Sequence, residues 1–238
     1  MLYANVCLGL NIHFFFRTAH PDVPFHQKRL AAAKADLKRQ VDELKLSESI
    51  HFESLFDANH HSKEEYYQDF LIMNALPYVQ EKISSDVDWI FFGEETTHVV
   101  LDRLIETLEG EKHGDKAAII GRGLYDREPA IIHHFFGVGG DSNYKTFAFP
   151  DFDAGFVINQ PLLNQIIDKL AIWKSKPEFQ IDPKHEFIKF IKTHLNIEMQ
   201  TSKHFCGGNW HREQKTCFTR AGKGKFSFNW LISSLKSN

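Results

Sequence analysis

The stretch Asp88 to His98, DWIFFGEETTH, constrains the fold more than any other part of the chain. Trp89, Ile90, Phe91 and Phe92 form a short continuous apolar run, the pattern of a strand covered on both faces. Gly93 permits a sharp turn, Glu94 and Glu95 follow, and helical spacing resumes from Val99 to Leu108. Carboxylates at the end of such a strand face the crevice where α/β sheets bind ligands. They are equally the residue types that accept from the free amides of a following helix, and two acids alone do not complete the shell of a hard ion.

Alternation of strand and helix extends this reading to the whole chain. Val6 to Phe16 reads as a strand, then a helix runs from about Phe25 to Leu44 with Leu30, Leu37, Val41 and Leu44 on its apolar face. A strand over Ser49 to Leu55 and a helix over Glu64 to Lys82 follow, with Pro77 expected to bend or end the helix. Lys116 to Gly121 reads as strand, as do Ala130 to Phe136, Tyr144 to Phe149 and Phe156 to Ile158. Helices are expected from Pro161 to Trp173 and from Asp182 through Ile191. The pattern predicts an α/β fold: an open, largely parallel twisted sheet with helices on both faces.

Composition narrows the function classes. With 238 residues, 42% of them apolar, the chain can bury one sizeable core, and we read 1–238 as a single domain with 200–238 a less regular C-terminal extension. A formal charge of −3 gives no electrostatic case for nucleic acid, and the aromatic content lacks the basic stripe of a base-stacking platform. No glycine-rich dinucleotide fingerprint or phosphate loop occurs. The opening residues, MLYANVCLGLNIHFFF, lack a basic n-region and read as a core strand, with no clear signal peptide or membrane anchor.

Several polar clusters could furnish a site. His133 and His134 flank an apolar run with Tyr125, Asp126, Arg127 and Glu128 nearby, and strand geometry would place the two histidines on opposite faces. In PDFDAG, Asp151 and Asp153 would share a side if extended, while Gly155 allows close backbone approach. Asp182 suits a helix cap, and Glu186, in the first turns, could act as a carboxylate base or sit at the surface. Cys7 reads as a small core residue; Cys206 and Cys217 could close a loop as a disulfide. A zinc reading with His204 and His211 matches no standard spacing.

Four segments in order, DWIFFGEETTHVVLDRL, GRGLYDREPAIIHHFF, FPDFDAGFVI and FQIDPKHEFIKFI, resemble the fringe-like family of β-1,3-glycosyltransferases over about Phe14 to Cys217. The resemblance is to the amino-terminal one of two related domains in a member that extends O-fucose on thrombospondin type 1 repeats. It implies a GT-A-like nucleotide-sugar transferase fold and inverting transfer of a hexose from a UDP-sugar donor to a glycoprotein O-fucose. It further implies Mn²⁺ held at Glu94 and Glu95, donor contacts at Trp89, Glu94, Glu95 and Gly155, and Glu186 as base. His133, His134 and Asp153 fall on the acceptor side, with Cys206 and Cys217 as the disulfide. Relatives carry three consecutive aspartates where this chain has Gly93, Glu94 and Glu95, which makes the metal motif degenerate. The alternative is a noncatalytic glycan- or protein-binding module working with a catalytic partner domain. Either role implies the endoplasmic reticulum or Golgi lumen, with membrane association conceivable.

Overall fold

The structure, a computed structural model, describes residues 9–18, 23–55, 72–111, 114–125, 147–175, 183–206 and 219–221. In chain order the elements are β1 (Ile12–Arg17), α1 (Pro24–Leu44), β2 (Ile50–Ser54), α2 (Ile72–Lys82), β3 (Trp89–Glu94), β4 (Thr97–Val99) and α3 (Leu101–Gly110). There follow β5 (Ile119–Gly121), β6 (Gly123–Leu124), β7 (Phe149–Pro150), a 3₁₀ turn (Phe152–Ala154) and β8 (Phe156–Asn159). The last are α4 (Gln160–Asp168), α5 (Leu170–Lys174), α6 (Pro183–Leu195), β9 (Gln200–Thr201), β10 (Phe205–Cys206) and β11 (Thr219–Ala221).

The main sheet has the order β2-β1-β3-β8-β5-β9. Its pairings are parallel except where β8 lies antiparallel between β3 and β5. Largely parallel is therefore right. Period-two alternation divides the core between the two faces. Ile12, Phe14, Phe16, Trp89 and Phe91 pack with Leu37, Val41, Leu104 and Leu108 of α1 and α3. Phe15, Ile90, Phe92, Phe156 and Ile158 pack with Leu76, Leu163, Trp173 and Phe187 of α2, α4, α5 and α6. Phenylalanine rings bind neighbouring strands, with Phe14 5.0 Å from Phe91 and Phe92 5.2 Å from Phe156, and join sheet to helix, with Phe156 5.8 Å from Phe187 of α6. Each such pair adds about 0.5–1.5 kcal/mol beyond the area it buries.

Local departures from the sequence reading have identifiable causes. Pro77 lies inside α2 without ending it, because Met73, Leu76 and Val79 on the buried face hold the helix to the sheet despite one lost backbone bond. Leu44 is 41% exposed and terminates α1, since Lys45 adopts a left-handed conformation there. The helix expected over Pro161 to Trp173 breaks at Lys169 into α4 and α5. Asn159 explains the start of α4: its Oδ1 accepts from Leu162 N at 3.2 Å and from Ala118 N at 2.9 Å, tying helix to β5. The strand expected over Ala130 to Phe136 lies outside the described residues.

Candidate functional site

The acidic pair does not cap a helix. β3 continues through Gly93 to Glu94, and the chain then turns into β4 before α3 begins at Leu101. The amide of Leu101 donates to Gln40 Oε1 instead, at 2.9 Å. Nor does Gly93 make the turn. It sits within the strand, where a Cβ would come within 2.9 Å of Phe91 Cε1 and 3.2 Å of Thr97 Cβ.

Strand periodicity sends the two carboxylates apart. Phe92 faces the α2 and α6 layer, so Glu94, two residues on, emerges on that side, while Glu95 passes toward α1. The parallel register sets Arg17 of β1 opposite Glu94, and Arg17 Nη2 donates to Glu94 Oε1. Arg17 also lies 5.2 Å from the centre of the Phe152 ring. Glu94 pairs on its other side with the carboxyl of Asp153, from the 3₁₀ turn. Burial, then Asp153, pushes Glu94 up to about 7 against the pull of Arg17. Thr97 fixes both acids' backbones: its Oγ1 accepts from Glu94 N at 2.9 Å and donates to Asp153 O at 3.0 Å.

Glu95 has different neighbours. Its side chain is 7% exposed. Thr18 Oγ1 donates to Oε2, His26 Nδ1 pairs with Oε1, and Arg29 Nη1 approaches Oε1 at 3.7 Å. Glu95 N donates to Arg17 O at 2.9 Å, so β1, β3 and the first turns of α1 meet at this one residue. Arg29 also stacks on the exposed Phe25 ring at 4.2 Å, and its Nε is buried with no hydrogen-bond partner among the described residues.

The cluster continues from Asp153 to α6. Asp151 lies in the field of Asp153, Lys184 and Arg122; Arg122 Nη1 is 3.7 Å from its Oδ2. Burial, helped by Asp153, raises the Asp151 carboxyl above its ordinary range. Glu186 is two residues past Lys184, held by His185 Nδ1 at 3.4 Å and Lys189 Nζ at 3.6 Å. Burial alone would raise its carboxyl, but the His185 bond and the Lys189 charge outweigh it and hold the group below the usual range.

The other residues singled out by sequence fall elsewhere. Trp89 is at the opposite end of β3, about 16 Å from Glu94 at the usual strand rise, where it lines a cavity of about 760 Å³ with Asp88 and Glu109. Trp89 and Glu94 thus stand at the two ends of the strand. Gly155 has φ +74°, and a Cβ there would lie 2.5 Å from Phe91 Cζ, so its small size serves ring packing. His133, His134, Asp182, His211 and Cys217 lie outside the described residues. Cys206 is disulfide-bonded, and both other cysteines, Cys7 and Cys217, are outside the described residues. A disulfide sulfur is no zinc thiolate, so the zinc reading falls.

Sequence reasoning gave no site role to Arg17, Thr18, His26, Arg29, Arg122 or Lys184. Arg17 and Thr18 follow directly on the first predicted strand, but only the folded register sets them beside Glu94 and Glu95; the others carry no local signal.

The sequence comparison gives this cluster a context. Over 167 residues, 70% of the chain, it is 32% identical to human β-1,3-glucosyltransferase, and the mouse enzyme matches equally. The chain is homologous to a region of β-1,3-glucosyltransferase. That region is 32% of the human protein, so the chain spans about a third of the relatives it matches. No family model matches the chain. Among solved structures, a glycosyltransferase involved in glycosylation of the major capsid of PBCV-1 aligns over 90% of this chain and 96% of its own, with 8% identity and a TM-score of 0.49. Mouse xyloside xylosyltransferase 1 in its apo form aligns over 90% and 98%, with 13% identity and a TM-score of 0.44. The β-1,3-glucosyltransferase match rests on sequence alone and needs neither of these.

The donor set does not suit a divalent metal as the sequence implied. Glu94 and Glu95 diverge, both engage cationic side chains of the chain itself, and the described residues contain no group of three His, Cys, Asp or Glu able to hold an ion.

Proposed function

We propose that the chain is a glycosyltransferase domain that receives a nucleotide-sugar, a UDP-linked hexose, at the carboxyl ends of β1 and β3. The acceptor is an O-fucose on a glycoprotein such as a thrombospondin type 1 repeat. The observation carrying this reading is the 32% identity to β-1,3-glucosyltransferase over 167 residues. The polar cluster at the carboxyl ends of these strands supports it, since that is where α/β sheets take ligands.

Glu186 is the base in this reading. Its carboxylate takes the proton of the acceptor hydroxyl while that oxygen bonds to the sugar's anomeric carbon and the nucleoside diphosphate departs with the electrons of the broken bond. A carboxylate kept ionised by His185 and Lys189 is available for that step at neutral pH. Asp153, beside Glu94, lies on the acceptor side in this reading, and His133 and His134 are assigned to the acceptor side with it. The work takes place in the endoplasmic reticulum or Golgi lumen, an assignment supported by the Cys206 disulfide. No helix of the described residues is long and apolar enough to cross a membrane.

Calorimetric titration with UDP-glucose, followed by transfer to a fucosylated repeat, tests the proposal. Saturable donor binding and product formation are expected, with Glu186→Gln retaining binding and losing transfer at least about 100-fold. Full transfer by that variant removes Glu186 from the role of base. One observation favours a second reading, a noncatalytic module serving a catalytic partner domain: both carboxylates of the acidic pair are engaged internally. Binding of the fucosylated repeat with no UDP-glucose binding would select it.

A further inference from the structure

We infer that Glu94 and Glu95 are counter-ions for this chain's own cations and not a divalent-metal seat, so that a nucleoside diphosphate bound here is met by basic side chains without a metal. The diphosphate half rests on the donor reading above; the metal half does not. Three observations carry it.

Adjacent residues at a strand end point to opposite faces, and here they do: Glu94 turns to Arg17 and Asp153, Glu95 to Thr18, His26 and Arg29. Glu95 lies in the turn just past β3, so one ion drawing on both carboxylates would have to part Glu94 from Arg17 and Glu95 from Thr18 and His26. Next, both oxygens of Glu95 are occupied in a nearly closed site. An ion entering there would have to displace a hydroxyl and a histidine and leave Arg29, 3.7 Å away, beside a second positive charge. A hard ion seeks several oxygen ligands, and two of the three groups around this carboxylate, His26 and Arg29, offer nitrogen.

The third observation is charge. Arg17, Arg29, Arg122 and Lys184 are interleaved with Glu94, Glu95, Asp151 and Asp153 through the contacts already given. Among the described residues this cluster has no excess of negative charge to draw a dication, while the buried Nε–H of Arg29, without a hydrogen-bond partner among them, is a donor for an anion. Glu95 is accordingly a positioning residue: it fixes the start of α1, and with it Arg29, against the ends of β1 and β3.

Two titrations of the full chain decide the matter. Mn²⁺ alone is followed by its electron paramagnetic resonance sextet, and UDP is titrated calorimetrically in Mn²⁺ and again in chelator. The expected results are an undiminished sextet and UDP affinities that agree within about tenfold. A saturable loss of the sextet at one ion per chain, or a larger tightening of UDP by Mn²⁺, overturns the inference. If UDP binds in neither buffer, the donor reading fails while the Mn²⁺ titration still decides the metal question. Glu95→Gln adds a separate reading: a lower melting temperature with unchanged Mn²⁺ response supports the positioning role, and an unchanged melting temperature rejects it.

Discussion

The two ends of β3 both carry acids, and they treat them in opposite ways. At the start of the strand, Asp88 Oδ2 accepts from Asn11 N at 2.7 Å, and the Asn11 amide donates to Asp86 at 3.1 Å, all in exposed positions. The hydroxyl of Ser84, then Asp86's own backbone amide, hold the Asp86 carboxyl below its ordinary range. At the far end, Glu94 is raised to about 7 by burial, and Glu95 is enclosed by α1. Carboxylates of the same chemistry thus act as solvated loop clamps at one end and as buried counter-ions at the other. Burial, more than residue type, sets what a strand-end acid can do.

The sharpest way to break this comparison is Glu95→Ala. It strands Arg29 and His26 beside an emptied buried site, and an expected loss of about 3–5 kcal/mol is measurable by denaturant unfolding. A loss as small as that of an exposed acid would erase the distinction between the ends.

Glu94 sharpens the comparison through pH. Its folded pKa exceeds the unfolded value of 4.5, so its stabilising contribution is complete below about pH 4.5 and is lost as pH rises through about 7. Melting temperatures across that window should show a decline that Glu94→Gln removes, at most about 3 kcal/mol in size. His13 opposes it at the acidic end. Burial, then His51, lowers His13 from 6.5 to about 4, so its contribution is present above pH 6.5 and is lost as pH falls toward 4. A wild-type profile with no component that vanishes in Glu94→Gln would contradict the buried environment described for that carboxyl.

Gly155→Ala should cost about 1–3 kcal/mol, because the added methyl meets Phe91 and the backbone has positive φ. Equilibrium unfolding would report it, and a neutral result would mean the ring can shift. Asp88→Asn, at the open end, is expected to cost only about 1 kcal/mol. A loss approaching that of Glu95→Ala would make the two ends alike.

Much of the fold was legible because its signals are local. Four apolar residues at Trp89 to Phe92 and the periodic faces of α1 and α3 mark elements within a few residues of themselves. The reversal of β8 was not, since Phe156 to Asn159 is as apolar as a parallel strand would be. Of the candidate site, the acids Glu94, Glu95, Asp151 and Asp153 were visible as residue types at the close of strands or turns. Their partners were hidden by distance along the chain: Arg17 and Glu94 are 77 residues apart, and His26 and Glu95 are 69 apart.

The sequence by itself determined an α/β chain with a central buried strand ending in two carboxylates, and the kinship that those segments carry. Tertiary structure alone decided that Glu94 meets Arg17 and Asp153 on one side and that Glu95 is closed off by Thr18, His26 and Arg29 on the other. The physical reason is that strand propensity follows from neighbours in sequence, whereas charge, burial and pairing are set by whichever segments the folded sheet lays side by side.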